Sequence, residues 1–539
     1  MTAPLALIAL AALVALAARA FRSLHMLQLE GYRPERWLRH SFERVAWRDA
    51  APSVVYVATL AAGVVLLAAH VSATGWIVSV AALAETGVQA YSVWGRPAKK
   101  PIAMTARMWR LAAMTALVTL VACGAAVWIL AAAGLAGLSV AGAAVAAYAV
   151  GGLLVVVEPL LVLAALYLAE PIEASVRRRY VAAARARLAA VRPLVIGITG
   201  SYGKTTTKNA LAAALSGRYK VLASPESFNT LLGVTRTINE QLADDTEVFI
   251  VEMGARQPGD IAEICDLVSP TVGIVTRLGP QHLEYFKTPE TIVRTKSELL
   301  CALPAEGFAV VDADGLSDFS VARGWSAHVI RVSSRDDAKP DALLGDVSIG
   351  RDGTSFALAR EGSERFEAST PLLGRHAAIN AALAAVAALE LGVEPGSVRD
   401  GLRTMKPVEH RLEIVRNDSV VVIDDAYNSN PDGFSAALEV LGAIPGRHIL
   451  VTPGMIELGA ETVPAHVRVA KAAAAACDVV ILVGKTAPPE FADTMVAEGL
   501  AAERLIRTAN LAEATEALGV LISAGDVILF ENDLPDNFA

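Results

Sequence analysis

Along its first 170 residues the chain is a succession of long apolar runs separated by short basic ones; beyond residue 193 the runs shorten and alternate with polar positions. Four early runs, near 3–20, 52–71, 74–94 and 111–133, are long enough to cross a bilayer as helices, at roughly 20 residues each. A fifth, 138–169, is interrupted by Gly151-Gly152 and Glu158-Pro159. It predicts a span over about 138–157 followed by a segment at the interface or leaving the bilayer, with one tilted span as the alternative. From residue 193 onward, short β-branched runs alternate with helical spacing, which predicts α/β units. Within 308–372, FAVVDA, HVIRVS, DVSIG and TSFALA predict a small antiparallel extension of a mostly parallel sheet. In 409–539, VVVID, HILVTP, DVVILVG and DVILF alternate with helices and predict a Rossmann-like unit. The Ala-rich stretches 381–392 and 469–478 read as packing faces.

Charge orients this pattern. Residues 1–193 carry 18 Lys+Arg and 8 Asp+Glu, whereas the remainder carries 29 and 47. A basic membrane part thus precedes an acidic soluble part. The soluble part has no basic stripe, which argues against nucleic acid as a partner. Residues 21–50, 95–110 and Arg177-Arg178-Arg179 are basic, while the loops near 71–74 and 134–138 carry no charge. The positive-inside rule then predicts a multi-pass cell-membrane protein with five spans, its N-terminus outside and the C-terminal two-thirds in the cytoplasm. The first run lacks the basic flank of a secretory signal. Cys123, Cys265, Cys301 and Cys477 form no CxxC pair or disulfide framework, as expected for a reducing cytosol. Glu85 and Glu158 fall inside apolar runs, where a carboxylate is costly. Each also lies near a predicted span end, so contact with headgroups explains them as well as a substrate or relay role does. The stretch 26-MLQLEGYRPERWLRH-40 reads either as a helix against anionic membrane lipid or as a plain connecting loop.

The candidate chemistry begins at 197-GITGSYGKTTTKNA-210. A β-branched run ends at a glycine-rich turn, and a stretch of helical spacing follows. That is the context of a phosphate-binding loop. Gly200, Ser201 and Gly203 form the turn, Lys204 supplies a cation for the outer phosphates, Thr205 offers a hydroxyl to Mg²⁺, and Thr206 continues the helix. Ile198 occupies the first glycine position of the strict motif, so a chance Gly-rich turn remains an alternative. Glu252 closes the run 246-TEVFIVEMGA-255, where a strand-end carboxylate is placed to hold Mg²⁺ or its water. His282 lies in the loop after 271-TVGIVT-276, and Lys296 lies 14 residues further on. His466 and Glu457 fall near the cleft expected in the last domain.

Taken together, GITGSYGKTTTK, SFNTLLGVTRTI, VEMGARQPGDI, GPQHLEYF, TKSEL, GRHAAINAALA, HRLEI and DDAYNSNPDG occur in the order seen in the Mur ligase family, which the chain resembles over roughly 190–535. Within that family the motifs look closest to the branch that adds D-alanyl-D-alanine to a UDP-linked muramoyl tripeptide. The resemblance implies domains at 1–172 (about five transmembrane helices), 173–192 (a linker helix), 193–408 (a P-loop central ATP-binding domain) and 409–539 (a C-terminal domain). It implies ATP and two Mg²⁺ ions, with Thr205, Glu252, His282 and Lys296 serving the metals and Lys296 carried as a CO₂-derived carbamate. It further implies that His376 and Asn380 contact the adenine, that Arg411 sits at the hinge, and that Asp425, Tyr427 and Asn428 reach the ribose and phosphates on closure.

The chain also departs from the pattern. Family members with UDP-linked substrates begin with a small α/β domain, for which the stretch before the phosphate loop leaves no room. 525-GDVILFENDLPDNFA-539 stands where the family usually has a Lys-Gly-Ser run, and 452-TPGMIELG-459 replaces a Gly-Asp-Met start. The expectation is a membrane-anchored ATP-dependent ligase joining a small-molecule or lipid-linked muropeptide to an amino acid or dipeptide. A membrane-attached ligase of another polymer, such as poly-γ-glutamate, and an ATP-driven transporter are the competing expectations.

Overall fold

The computed structural model describes residues 3–35, 37, 50–71, 73–94, 101–132, 138–225, 228–279, 286–315, 325–407, 410–426, 429–456 and 458–532. The chain forms two compact units, Met1–Arg179 and Tyr180–Ala539.

The first unit is helical: Ala3–Leu29, Ala50–Ala68, Thr74–Trp94, Ala106–Ala132, and the first part of Val140–Val191. Among the described residues, three of these, Ala3–Leu29, Ala106–Ala132 and Val140–Val191, are long and apolar enough to cross a membrane. The fifth run differs from expectation. Val140–Val191 is one helix of 52 residues that continues through Gly151-Gly152, Pro159 and Pro171. A proline in a helix deprives the carbonyl four residues earlier of its partner. For Pro159 that carbonyl is Val155, and Arg19 Nη1 donates to it at 3.0 Å. A cation from the first helix thereby satisfies the break that the sequence suggested. The two apolar-run acids are also partnered within the bundle: Tyr148 Oη donates to Glu85 at 2.5 Å and Ser23 Oγ to Glu158 at 3.0 Å. Glu158 is buried among the helices.

The second unit holds two sheets. In the first, the strands are β1 (Leu194–Thr199), β2 (Val221–Ala223), β3 (Val248–Glu252), β4 (Val272–Val275), β5 (Phe308–Asp312), β6 (His328–Ser333), β7 (Ala342–Gly350), β8 (Gly353–Arg360) and β9 (Phe366–Thr370). Their order is β2-β3-β1-β4-β5-β6-β7-β8-β9. FAVVDA and HVIRVS, expected in the antiparallel extension, instead continue the parallel sheet as β5 and β6. Only β7, β8 and β9 pair antiparallel. The reason lies in burial: β5 is apolar on both faces, as a strand covered by helices must be. Helices Lys204–Leu215 and Arg375–Glu390 cover one face, the latter with an almost continuous run of buried alanines that lets it lie close to the sheet. The other face packs against Ile261, Ile264, Ile292, Leu299 and the end of the long helix at Ala184. Truncating a core residue such as Ile250 to alanine costs about 2–5 kcal/mol.

The second sheet contains β10 (Glu413–Asn417), β11 (Val421–Asp425), β12 (Arg447–Thr452), β13 (Val479–Val483), β14 (Leu505–Thr508) and β15 (Asp526–Glu531), ordered β10-β11-β15-β12-β13-β14. All pairs are parallel except β10–β11. Placing β15 between β11 and β12 brings the last strand of the chain to the centre of the sheet.

Candidate active site

The site lies at the C-terminal ends of β1, β3 and β4, where open parallel sheets hold ligands. β1 delivers its chain into the turn 200–203. Gly203 has φ 80°, and a Cβ there would lie 2.2 Å from Asn380 Oδ1; at Gly200, with φ 150°, it would lie 1.9 Å from Thr276 Oγ1. Both positions therefore demand glycine. Ser201 and Tyr202 both donate their N–H groups to Arg277 O, at 3.0 and 3.1 Å, and Ser201 Oγ donates to Gly279 O at 3.0 Å. The donors left for an anion are those of the first helical turn from Lys204 through Thr205 and Thr206, where helices lack internal acceptors. Lys204 Nζ rests on the loop itself, donating to Gly200 O at 2.9 Å and Ser201 O at 3.2 Å. Burial lowers its pKa, partly opposed by the charge of Glu252.

Glu252, 3% exposed, ends β3 beside this turn. Its Oε2 accepts Thr205 Oγ1 at 2.9 Å and Lys208 Nζ at 3.3 Å, and its Oε1 accepts Asn229 Nδ2 at 3.1 Å. Burial opposes the ionised carboxylate, but Asn229, Lys208, Thr205 and Lys204 together outweigh it, and its pKa falls below the ordinary value. Lys208 and Asn229 were not among the residues singled out from sequence. Lys208 is 2% exposed and lies one turn after Lys204 on the same helix, and that spacing was the available signal. Asn229 gave none beyond its place in SFNTLLG.

Lys296 is the last residue of helix Pro289–Lys296 and is 5% exposed. Burial, then the charge of Lys204, pushes its pKa down to about 7, while Glu298 and Asp260 oppose the shift. His282 lies outside the described residues, as do Tyr427, Asn428 and Glu457. Asn380 is buried against the phosphate loop, where its Oδ1 accepts Thr207 Oγ1 at 3.2 Å, and His376 is exposed on the first turn of the same helix. Arg411 sits between His410 and Leu412, both left-handed at φ 60° and 47°. Asp425 ends β11, and its Oδ1 accepts the N–H of Leu412 at 3.1 Å. His466 lies on helix Thr462–Ala476. It is fully buried, its Nε2 accepts Met455 N–H at 3.0 Å, and its Nδ1 bonds Thr462 O at 2.7 Å. Both nitrogens are spent on backbone, so it is a core residue.

Among the described residues no three His, Cys, Asp or Glu side chains converge on a common point. The hydroxyl of Thr205 and the carboxylate of Glu252 are nevertheless hard oxygen donors held side by side. That fits Mg²⁺, which takes one or two protein oxygens and completes its shell with phosphate and water.

A strand-loop-helix phosphate cradle with a strand-end carboxylate, in a chain that carries a second, mostly parallel sheet, defines a two-sheet α/β protein of the phosphate-loop class. Residues 198–388 match the Mur ligase middle domain and residues 410–531 the Mur ligase glutamate ligase domain. The UDP-N-acetylmuramoyl-tripeptide--D-alanyl-D-alanine ligase of Mycobacterium leprae is 33% identical over 376 residues, covering 65% of this chain and 72% of the relative. The chain belongs to the Mur ligase family. The enzyme of the same description from Mycobacterium tuberculosis is 36% identical over 299 residues, covering 54% of this chain but only 58% of that protein's length. The crystal structure of the MurF ligase of Thermotoga maritima in complex with ADP superimposes with TM-score 0.55 at 25% identity, covering 66% of this chain and 80% of that one.

Proposed function

We propose that this chain is an ATP-dependent carboxylate–amine ligase of peptidoglycan precursor synthesis, anchored in the membrane by its N-terminal helices with its ligase domains in the cytoplasm. The observation that carries this reading is the Glu252 cluster: one buried carboxylate bonded to Thr205, Lys208 and Asn229 beside the phosphate loop. A carboxylate is a poor electrophile. Transfer of the γ-phosphoryl group of ATP makes it an acyl phosphate. An amine then attacks, and the tetrahedral intermediate collapses to an amide and phosphate. Such transfer needs positioning and charge neutralisation more than covalent help. The first helical turn and Lys204 bind and neutralise the phosphate chain. Thr205 and Glu252 would hold Mg²⁺, which supplies further charge neutralisation at the transferring phosphoryl. Lys208 and Asn229 keep Glu252 ionised and aimed. Lys296, buried beside a second ammonium, is suited to capture CO₂ as a carbamate, which turns a repelling cation into an anionic ligand. His282 would share that second metal, and His376, Asn380, Arg411, Asp425, Tyr427 and Asn428 would hold the nucleotide. We assign the parts as a membrane region at 1–172, a linker at 173–192, and ligase domains at 193–408 and 409–539.

The resemblance to ligases of UDP-linked tripeptides points to a muropeptide as the carboxylate and D-alanyl-D-alanine as the amine. The apolar helices that lead directly into β1 favour a lipid-linked form of that muropeptide, whose local concentration the anchor raises. The test is an assay of the full chain in lipid nanodiscs with ATP, D-alanyl-D-alanine or glutamate, and matched lipid-linked and UDP-linked acceptors. ADP, phosphate and a new amide are expected only when carboxylate and amine are both present, and faster with the lipid-linked acceptor. Sustained ADP release at full rate with neither carboxylate nor amine supplied would reject the ligase. Equal rates on the two acceptors would reject the lipid preference.

A further inference from the structure

A second buried acid stands at the end of a parallel strand. β11 and β15 are neighbours, and their register places Asp425 opposite Glu531, so the two side chains leave the same face of the sheet. Glu531 is fully buried. Its Oε1 accepts Ser429 Oγ at 2.7 Å, whereas its buried Oε2 meets no protein donor. Asp425 Oδ1 accepts the Leu412 N–H in the hinge. Among the described residues, the other charged groups at this end are Asp424, which bonds His410 Nδ1 at 2.7 Å, Glu413, whose Oε2 accepts the His410 N–H at 3.3 Å, and Arg411. Leu450–Met455, running out of the neighbouring β12, contains no titratable residue. Among the described residues, the side chains that meet Glu531 are Ser429 and Asp425. Asp425 is half-buried and Glu531 fully so; two carboxyls in contact with one of them out of water resist ionising together, and a hydroxyl on one would serve the other.

We propose that Asp425 and Glu531 share one proton, and that Glu531 thereby acts as a positioning residue, orienting Asp425 and tying the left-handed hinge turn 410–412 to the end of the second sheet. The positioning role rests on the ligase reading above; the shared proton does not. Burial first and Asp425 second raise the pKa of Glu531 well above the ordinary value, and burial raises that of Asp425. Loss of the proton at alkaline pH leaves two adjacent anions, and the contact that fixes Asp425 is broken.

The experiment uses the full chain in lipid nanodiscs. In infrared spectra at neutral pH, the wild type minus E531Q difference is expected to contain a protonated-carboxyl C=O band. That readout decides the shared proton whether or not the chain joins peptides. In the ligase assay, the wild-type KM for ATP is expected to rise toward alkaline pH. E531Q, whose amide donates where the proton did, should flatten that rise. E531A should raise KM about tenfold more than it lowers kcat, as expected for loss of one buried hydrogen bond. Absence of the band overturns the shared proton, and an alkaline rise in E531Q equal to that of the wild type overturns the positioning role. Should E531A fail to fold, E531Q and D425N carry both readouts.

Discussion

Glu252 and Glu531 occupy equivalent places: each is the last residue of a parallel strand, each is buried, and each lies at the end of its sheet where ligands bind. Their surroundings are opposite. Glu252 faces Lys204, Lys208, Asn229 and Thr205, all donors, and is held ionised. Among the described residues Glu531 meets another carboxyl and one hydroxyl, and is driven toward its neutral form. Residue type and strand position do not set the charge of a buried acid; the donors supplied by neighbouring elements do.

The comparison breaks most visibly in activity. Replacing Glu252 by alanine should lower kcat by about 10²–10³, the scale of losing a preorganised charge-stabilising group, measured as amide formed per enzyme. K204A should fall in the same range. Full-rate joining in either variant would remove Glu252 from the chemistry and leave the two acids alike. Stability comes next. E252Q strands the buried ammonium of Lys208, at a cost of about 3–5 kcal/mol, whereas the double variant K208M/E252Q should recover much of this in denaturant unfolding. The pH slopes should then oppose one another. The pKa of Glu252 is depressed, so its contribution is present above the ordinary 4.5 and is lost as pH falls through the folded value. The pKa of Glu531 is raised, so the folded state holds the extra proton, and its contribution is lost as pH rises from 4.5 through the folded value. Unfolding free energies of E531Q should therefore depend less on pH than wild type on the alkaline side; identical slopes would contradict the assignment. The smallest effect tests donor supply elsewhere. R19A leaves the Val155 carbonyl without its partner and should cost about 1–3 kcal/mol, and P159A should restore most of it by returning a backbone N–H.

Much of the site was legible in the chain. Gly203, Lys204 and Thr205 announce themselves by spacing, and Glu252 by its place at the end of a β-branched run. Lys208 lies in the same stretch, but its spacing alone does not reveal its role, because its partner is 44 residues away and only the β1–β3 register brings the two together. Asn229 was hidden for the same reason. In the fold, β10 and β14 escaped notice. EIVRN and LIRT are short, half-polar edge strands without the apolar run that marks a central one. The Gly151-Gly152 and Glu158-Pro159 interruptions read as a helix end, since nothing local says that an arginine some 140 residues earlier will cap the orphaned carbonyl. FAVVDA and HVIRVS do not reveal their parallel pairing, because strand direction depends on the crossover rather than on the strand's own residues.

The resting position of Lys204 carries a last implication. Its ammonium already donates to two loop carbonyls, so an incoming molecule competes with them for it and must offer enough negative potential to draw it away. A nucleoside cannot do so, and a long polyphosphate can. The cradle should thus discriminate by the number of phosphates before any base is recognised, with the lysine acting as a latch that only a highly charged tail releases.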